Sequence, residues 1–194
     1  MVTEPLNTEP DSAGLTLVNG RAVGVDTLPL MCSEARQGAA GATSSYPVDA
    51  AAVLRQARVL LRLQASEMKP LTGRRLALMS PHPEDDEGSE FAQAATALGA
   101  HVSFVQPGLD EHSSPWRVDA TARMLSRLYD AVECQHLPAA LTGRLARSAD
   151  IPVFAGLATA GHPTAVLAQA LDGDVAWAIK RRKILQAALV ISLA

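Results

Sequence analysis

Residues 82–90, His-Pro-Glu-Asp-Asp-Glu-Gly-Ser-Glu, bring one imidazole, five carboxylates and a glycine together within nine positions, with no lysine or arginine among them. Hard oxygens beside an imidazole are the side chains that hold a cation. The flanks suggest a different chemistry. Leu76-Ala-Leu-Met79 reads as a strand and Phe91 to Leu98 as a helix. A turn from strand to helix presents free N–H groups and a partial positive charge, which is where α/β proteins bind phosphate. Here the protein's own acids compete for that place and repel an external anion. The plainest alternative is that these acids complement the helix dipole and face water.

The elements that must position this turn follow a regular rhythm after Pro70 and Gly73. Strands are expected at 75–80, 101–106, 130–135 and 151–155, and helices at about 89–98, 116–128, 138–148 and 163–171. Crossovers of that length impose parallel pairing, so the fold class is α/β: a single doubly wound domain with a four-stranded parallel sheet flanked by helices. Before it, Asp49 is placed to cap a long helix whose apolar stripe is Val53, Leu54, Ala57, Leu60, Leu61 and Ala65, with Arg55, Arg58 and Arg62 outside it. After it, residues 174–192 form a C-terminal packing helix in which Lys180, Arg181, Arg182 and Lys183 make a solvated face ahead of an apolar run. Residues 1–47 form a separate N-terminal part: a polar tail over 1–14, a hairpin extension centred on Asn19-Gly20, and a Gly/Ala/Ser linker at 37–47. The α/β domain occupies 48–194.

Composition narrows the partners. With 17 basic and 20 acidic side chains in 194 residues the formal charge is −3, so no general nucleic-acid or anionic-membrane surface is expected. The apolar run Ile184 to Ala194 is too short to span a bilayer, and the first residues lack the basic and apolar regions of a signal peptide. Cys32 and Cys134 have no metal-like spacing, which fits a reducing compartment. A soluble cytoplasmic protein without a cofactor is the expectation.

Lys69-Pro-Leu-Thr-Gly-Arg-Arg-Leu-Ala-Leu78, Phe91, Leu98-Gly99, the run from Ala120 through Arg123, Arg127 and Asp130 to Ala131, Ile151-Pro-Val-Phe-Ala-Gly-Leu157 and His162-Pro163 occur in that order. This series resembles the carbamoyl-phosphate-binding domain of the aspartate and ornithine carbamoyltransferases over about 49–171. The run Arg182-Lys-Ile-Leu-Gln-Ala-Ala-Leu189 is similar to that family's final helix. Between the two, where the family has an amino-acid-binding domain, this chain has only a few residues around Asp172-Gly173-Asp174.

The resemblance implies a residue-by-residue comparison. Where the family carries Ser-Thr-Arg-Thr-Arg to cradle phosphate, this chain has Glu84, Asp85, Asp86, Glu87 and Gly88. The family's arginine after the third strand falls on Gln135 or His136, and its His-Pro-x-Gln motif is His162, Pro163 and, in the Gln position, Ala165. A charge-assisted hydrogen bond is worth roughly 1.5–3 kcal/mol, so losing two arginines removes several powers of ten in affinity. Carboxylates beside a phosphate cost a further 1–4 kcal/mol or so per close pair.

The resemblance and these replacements together imply a non-catalytic carbamoyltransferase homologue, a pseudoenzyme acting as a structural or regulatory subunit. The family assembles as trimers through this domain, which implies a trimer-like homo-oligomer or a complex with an active aspartate or ornithine carbamoyltransferase. Two other readings stand beside it. One is transferase activity completed by a partner chain's arginines. The other is a cation site at His82, Asp85 and Asp86, because the turn also resembles the His-Pro-Asp-Asp-Glu turn of zinc-dependent N-acetylglucosaminyl deacetylases. There, however, Glu84 is an insertion and no later His-x-x-His pair follows. Among the remaining residues, Asp119, Arg123, Arg127 and Asp130 are expected to make helix-to-sheet or subunit contacts, and Trp116 and Trp177 to anchor packing. His101, His112 and His136 are expected to be solvated or satisfied locally, and Cys134 to be buried.

Overall fold

The computed structural model describes residues 49–62, 69–82 and 85–193. The N-terminal tail, hairpin and linker read from the sequence lie outside them, as does Glu84. Asp49 starts helix α1 (Ala50–Arg62), its carboxylate accepting from Ala51 N at 3.0 Å. Strand β1 (Arg75–Met79) leads into α2 (Asp86–Ala97), followed by β2 (His101–Val105), α3 (Pro115–Leu128), β3 (Ala131–Cys134), α4 (Ala139–Ser148) and β4 (Val153–Ala155). A 3-10 helix (Ala165–Ala170) precedes α5 (Trp177–Leu193).

All strand pairs are parallel and the sheet order is β2-β1-β3-β4. Alternation along β1 sends Leu76 and Leu78 to one face and Ala77 and Met79 to the other. The first face is covered by α1, α2 and α5 through Val53, Ala57, Phe91, Ala94 and Leu189. The second is covered by α3 and α4 through Val118, Ala122, Leu125, Leu141 and Leu145. With both faces covered, β1 reads as a nearly unbroken apolar run. From β1 the chain moves outward to β2, then crosses back to β3 on the other side. The carboxyl ends of β1 and β3 therefore form the switch point at which such sheets open a crevice.

Three features differ from the sequence reading. Helix α2 begins at Asp86, three residues earlier than expected, because the acidic residues belong to its cap and first turn and do not form a loop before it. The helix expected at 163–171 is instead the short 3-10 helix, held by i→i+3 bonds such as Ala165 N to His162 O at 2.8 Å and closed by Gly173 at φ 106°. It buries only Ala168, too little apolar surface to hold a longer element. Finally, the basic residues of α5 are engaged with the fold. Lys180 Nζ donates to Leu171 O at 2.6 Å, Arg181 to Ala158 O at 2.9 Å, and Arg182 makes a bidentate pair with Glu90 at 2.8 and 2.7 Å. These contacts dock α5 before its apolar half, Ile184 to Val190, sinks into the core.

Trp116 is 74% exposed and Trp177 49% exposed, so neither anchors packing. Trp116 precedes the buried stripe Val118, Ala122, Leu125 of α3, and Trp177 precedes that of α5. Asp130 does tie helix end to sheet, accepting from Arg75 N at 2.8 Å and Arg74 at 3.1 Å. Asp119 joins α3 to α4 by accepting from Ser148 Oγ at 2.6 Å. Cys134 is buried, and burial holds its thiol protonated.

Candidate functional site

Beyond Met79 the chain leaves the sheet at Ser80, whose buried hydroxyl lies 3.0 Å from both the carbonyl and the N–H of His82 and 3.3 Å from Asp85 Oδ2. That bracket fixes Asp85 as the cap of α2. Its Oδ1 accepts the Gly88 N–H, one of the free donors at the helix start. Gly88 is buried, and a Cβ there would meet Asp85 Oδ1 at 2.7 Å, so the close approach of carboxylate to backbone requires glycine. A donor that would receive an anion is thus occupied by the protein itself.

Glu87 closes the site from the other side. Its Oε2 accepts from Gln135 Nε2 at 2.9 Å, and its Oε1 from Ala160 N at 3.3 Å. His136 stands at φ 54° with Nε2 3.3 Å from Asp85 Oδ2 and 3.5 Å from Glu87 Oε2. It is therefore not an isolated histidine, as its sequence context suggested; the left-handed turn after β3 swings it onto the α2 cap. Asp86 remains exposed at the rim.

Behind Glu87 lies Glu133 on β3, fully buried and facing the α2 layer. Its Oε1 accepts from Leu157 N at 2.8 Å. Burial, reinforced by the neighbouring Glu87 charge, pushes its carboxyl up to about 8, so it carries a proton at neutral pH.

His162 sits apart from the α2 turn. Its Nδ1 accepts from Thr164 N at 3.2 Å and lies 2.8 Å from Thr164 Oγ1, bracing the residue that precedes the 3-10 helix, while burial pushes its ring toward the neutral form. Pro163 is exposed, whereas Ala165 reaches the same cavity as Glu87. That cavity, about 240 Å³, lies between the first turn of α2, the segment after β4 and α5, with Glu87, Glu90 and Arg181 among its polar walls and Leu157, Ile184 and Leu185 among its apolar ones. The side chain of His82 is exposed, and among the described residues no three His, Cys, Asp or Glu side chains are arranged to hold a metal ion.

The structure thus gathers Asp85, Asp86, Glu87, Gly88 and Gln135 at the switch point and leaves His82 and His162 to local roles. Sequence reasoning missed Ser80, Glu133 and the backbone of 157–160. A charged residue inside the strand Ala-Val-Glu-Cys was the available signal for Glu133.

Residues 46–172 match the family described as aspartate/ornithine carbamoyltransferase, carbamoyl-P binding domain. The chain belongs to this carbamoyltransferase family. It is 34% identical over 106 residues to an ornithine carbamoyltransferase of Actinobacillus pleuropneumoniae, covering 55% of this chain and 32% of that protein. A catabolic ornithine carbamoyltransferase of Pseudomonas putida is 32% identical over the same length. The ornithine carbamoyltransferase structure from Pyrococcus furiosus superposes with a TM-score of 0.53 at 26% identity, covering 62% of this chain and 39% of that one. This carbamoyltransferase-family chain therefore spans about a third of the length of the curated relatives it matches. Among its described residues no helix is long and apolar enough to cross a membrane.

Proposed function

We propose that this chain is a non-catalytic carbamoyltransferase homologue serving as a structural or regulatory subunit, in an oligomer with itself or with an active ornithine or aspartate carbamoyltransferase. One observation carries the reading. At the helix terminus where the family resemblance implies a phosphate cradle, the Gly88 N–H is already accepted by Asp85, and Glu87 is held in place by Gln135 and Ala160. A phosphate arriving there meets two fixed carboxylates and no arginine on α2. Displacing the Asp85 cap alone costs about 1 kcal/mol, and each close charge pair adds a comparable or larger penalty.

Calorimetry with carbamoyl phosphate, and transfer assays with ornithine and with aspartate, test the first half. No heat and no turnover are expected at millimolar ligand, and saturable binding overturns the reading. Replacing Asp85-Asp86-Glu87-Gly88 by Thr-Arg-Thr-Arg together with Gln135→Arg is expected to create anion binding. The subunit role is tested by coexpression with an ornithine carbamoyltransferase of the same organism, followed by mass measurement of the purified assembly. A monomer both alone and in the mixture overturns it, and turnover in the mixture above that of the ornithine carbamoyltransferase alone instead supports completion of the site by a partner.

A further inference from the structure

Three buried side-chain atoms among the described residues have no hydrogen-bond partner: Glu133 Oε2, Gln135 Oε1 and Gln186 Oε1. A buried acceptor left alone loses its hydration without compensation, so such exceptions require a physical account. Gln186 belongs to α5 and donates to Ala94 O on α2, away from the others. Glu133 and Gln135 are two positions apart along β3 and its continuation, on the same face of the sheet. Both are fully buried. Each lacks the same thing, a hydrogen, and a neutral carboxyl has one to give while an amide oxygen can take it.

We propose that Glu133 is kept as the neutral acid, that its proton bridges to the Gln135 side-chain oxygen, and that Glu133, Gln135 and Glu87 together form a proton-operated latch on the cavity wall Gly156–Ala160. The other bonds of this chain are in place. Leu157 N donates to Glu133 at 2.8 Å, Gln135 Nε2 donates to Glu87 at 2.9 Å, and Ala160 N donates to Glu87 at 3.3 Å. One proton thus satisfies both orphaned oxygens and links β3, α2 and the wall. Leu157, Ala158 and Thr159 of that wall line the 240 Å³ cavity.

Loss of the proton sets a buried anion against the Gln135 oxygen and the Glu87 carboxylate. The nearest relief is hydration, which requires the wall to lift. The groups facing the latch are Glu87 and Asp85 from α2 and His136 after β3, while Cys134 beside Glu133 points to the opposite face and its thiol stays protonated. From α5, Arg181 holds Ala158 O at 2.9 Å. None places a fixed positive charge on Glu133 itself. The latch rests on the reading of the site as filled by its own carboxylates, but its test does not involve carbamoyl phosphate, so the two fail separately.

The test is NMR on the full chain: a carboxyl-carbon titration of Glu133 and amide exchange over 156–160, from about pH 6 to 9. The expected result is a protonated Glu133 at neutral pH. Protection of Leu157 and Ala160 then falls at least about tenfold relative to the β1 amides as the pH passes the Glu133 transition. In Glu133→Gln the side-chain amide supplies the acceptor and the donor permanently, so the pH dependence disappears. In Gln135→Met the middle link is cut, and protection is low throughout. An ionised Glu133 at neutral pH, or wall amides that track β1 across the range, overturns the proposal. The wild-type titration decides this even where a variant does not fold.

Discussion

Asp130 and Glu133 are three residues apart at opposite ends of one strand, and they have opposite fates. At the amino end, Asp130 is partly open to water and accepts from a backbone N–H and a guanidinium, so its carboxyl is held below the usual range, first by the Arg75 amide and then by Arg74. At the carboxyl end, Glu133 is fully buried, has only backbone donors and a like charge beside it, and its carboxyl is pushed up to about 8. The sheet is therefore satisfied where it is only scaffold and strained where the α/β fold places its ligands. A buried carboxyl that must keep its proton is a stability cost as the pH rises, and such costs persist at sites where a polar group serves something other than stability.

The largest expected effect concerns Glu133. Its folded value lies above the ordinary 4.5, so the folded state binds the proton more tightly, and the stability this contributes is fully present below pH 4.5 and lost as the pH rises to about 8. At about 1.4 kcal/mol per unit, the loss is on the order of 3–5 kcal/mol. Urea unfolding at about pH 5 and pH 8.5 should show it, and Glu133→Gln should flatten the slope and be the more stable protein at the higher pH. An equal slope in both proteins erases the contrast with Asp130.

Asp130 should behave in the opposite sense. Its folded value lies below the ordinary 3.8, so the stability is present above that value and lost as the pH falls through the lowered one. Asp130→Ala should cost about 1–2 kcal/mol at neutral pH, chiefly because the Arg75 N–H loses its partner, and less as the pH falls through the lowered value. Gly88→Ala comes next. The added methyl displaces Asp85 from the helix cap, a loss of about 1 kcal/mol partly offset by better helix propensity, for a net destabilisation of about 0.5 kcal/mol in thermal unfolding. The smallest effect is expected for Arg182→Ala, because its pair with Glu90 is half exposed: about 0.2–0.5 kcal/mol at low salt, shrinking as salt is added.

The scaffold was legible in the sequence because its signals are local. Apolar alternation and crossover length fix the four parallel strands, and the 3.6-residue period placed α3 almost to the residue and the start of α1 at its Asp49 cap, while the end of the α1 stripe at Ala65 lies outside the described residues. The acidic turn was also legible as a carboxylate-rich junction of strand and helix, since residue type alone states its charge. What sequence could not supply was partnership. Nothing local indicates that Glu87 meets Gln135 and Ala160, that His136 turns back onto Asp85, or that Lys180, Arg181 and Arg182 reach three separate elements. Those contacts join residues 9 to 92 positions apart. The two tryptophans misled for a related reason, because aromatic bulk signals burial only where the helix period also turns it inward.

Helix α5 sets the order in which the molecule can be completed. Val53, Ala57 and Leu60 of α1 share a core with Leu185, Leu189 and Leu193, so a chain emerging from the ribosome carries a bare apolar stripe on α1 until more than a hundred further residues have been made. At about 5–20 residues per second that exposure lasts on the order of ten seconds, long enough for a chaperone to act on it. Premature termination anywhere before Ile184 therefore leaves the core shared by α1, α2 and α5 without its α5 side.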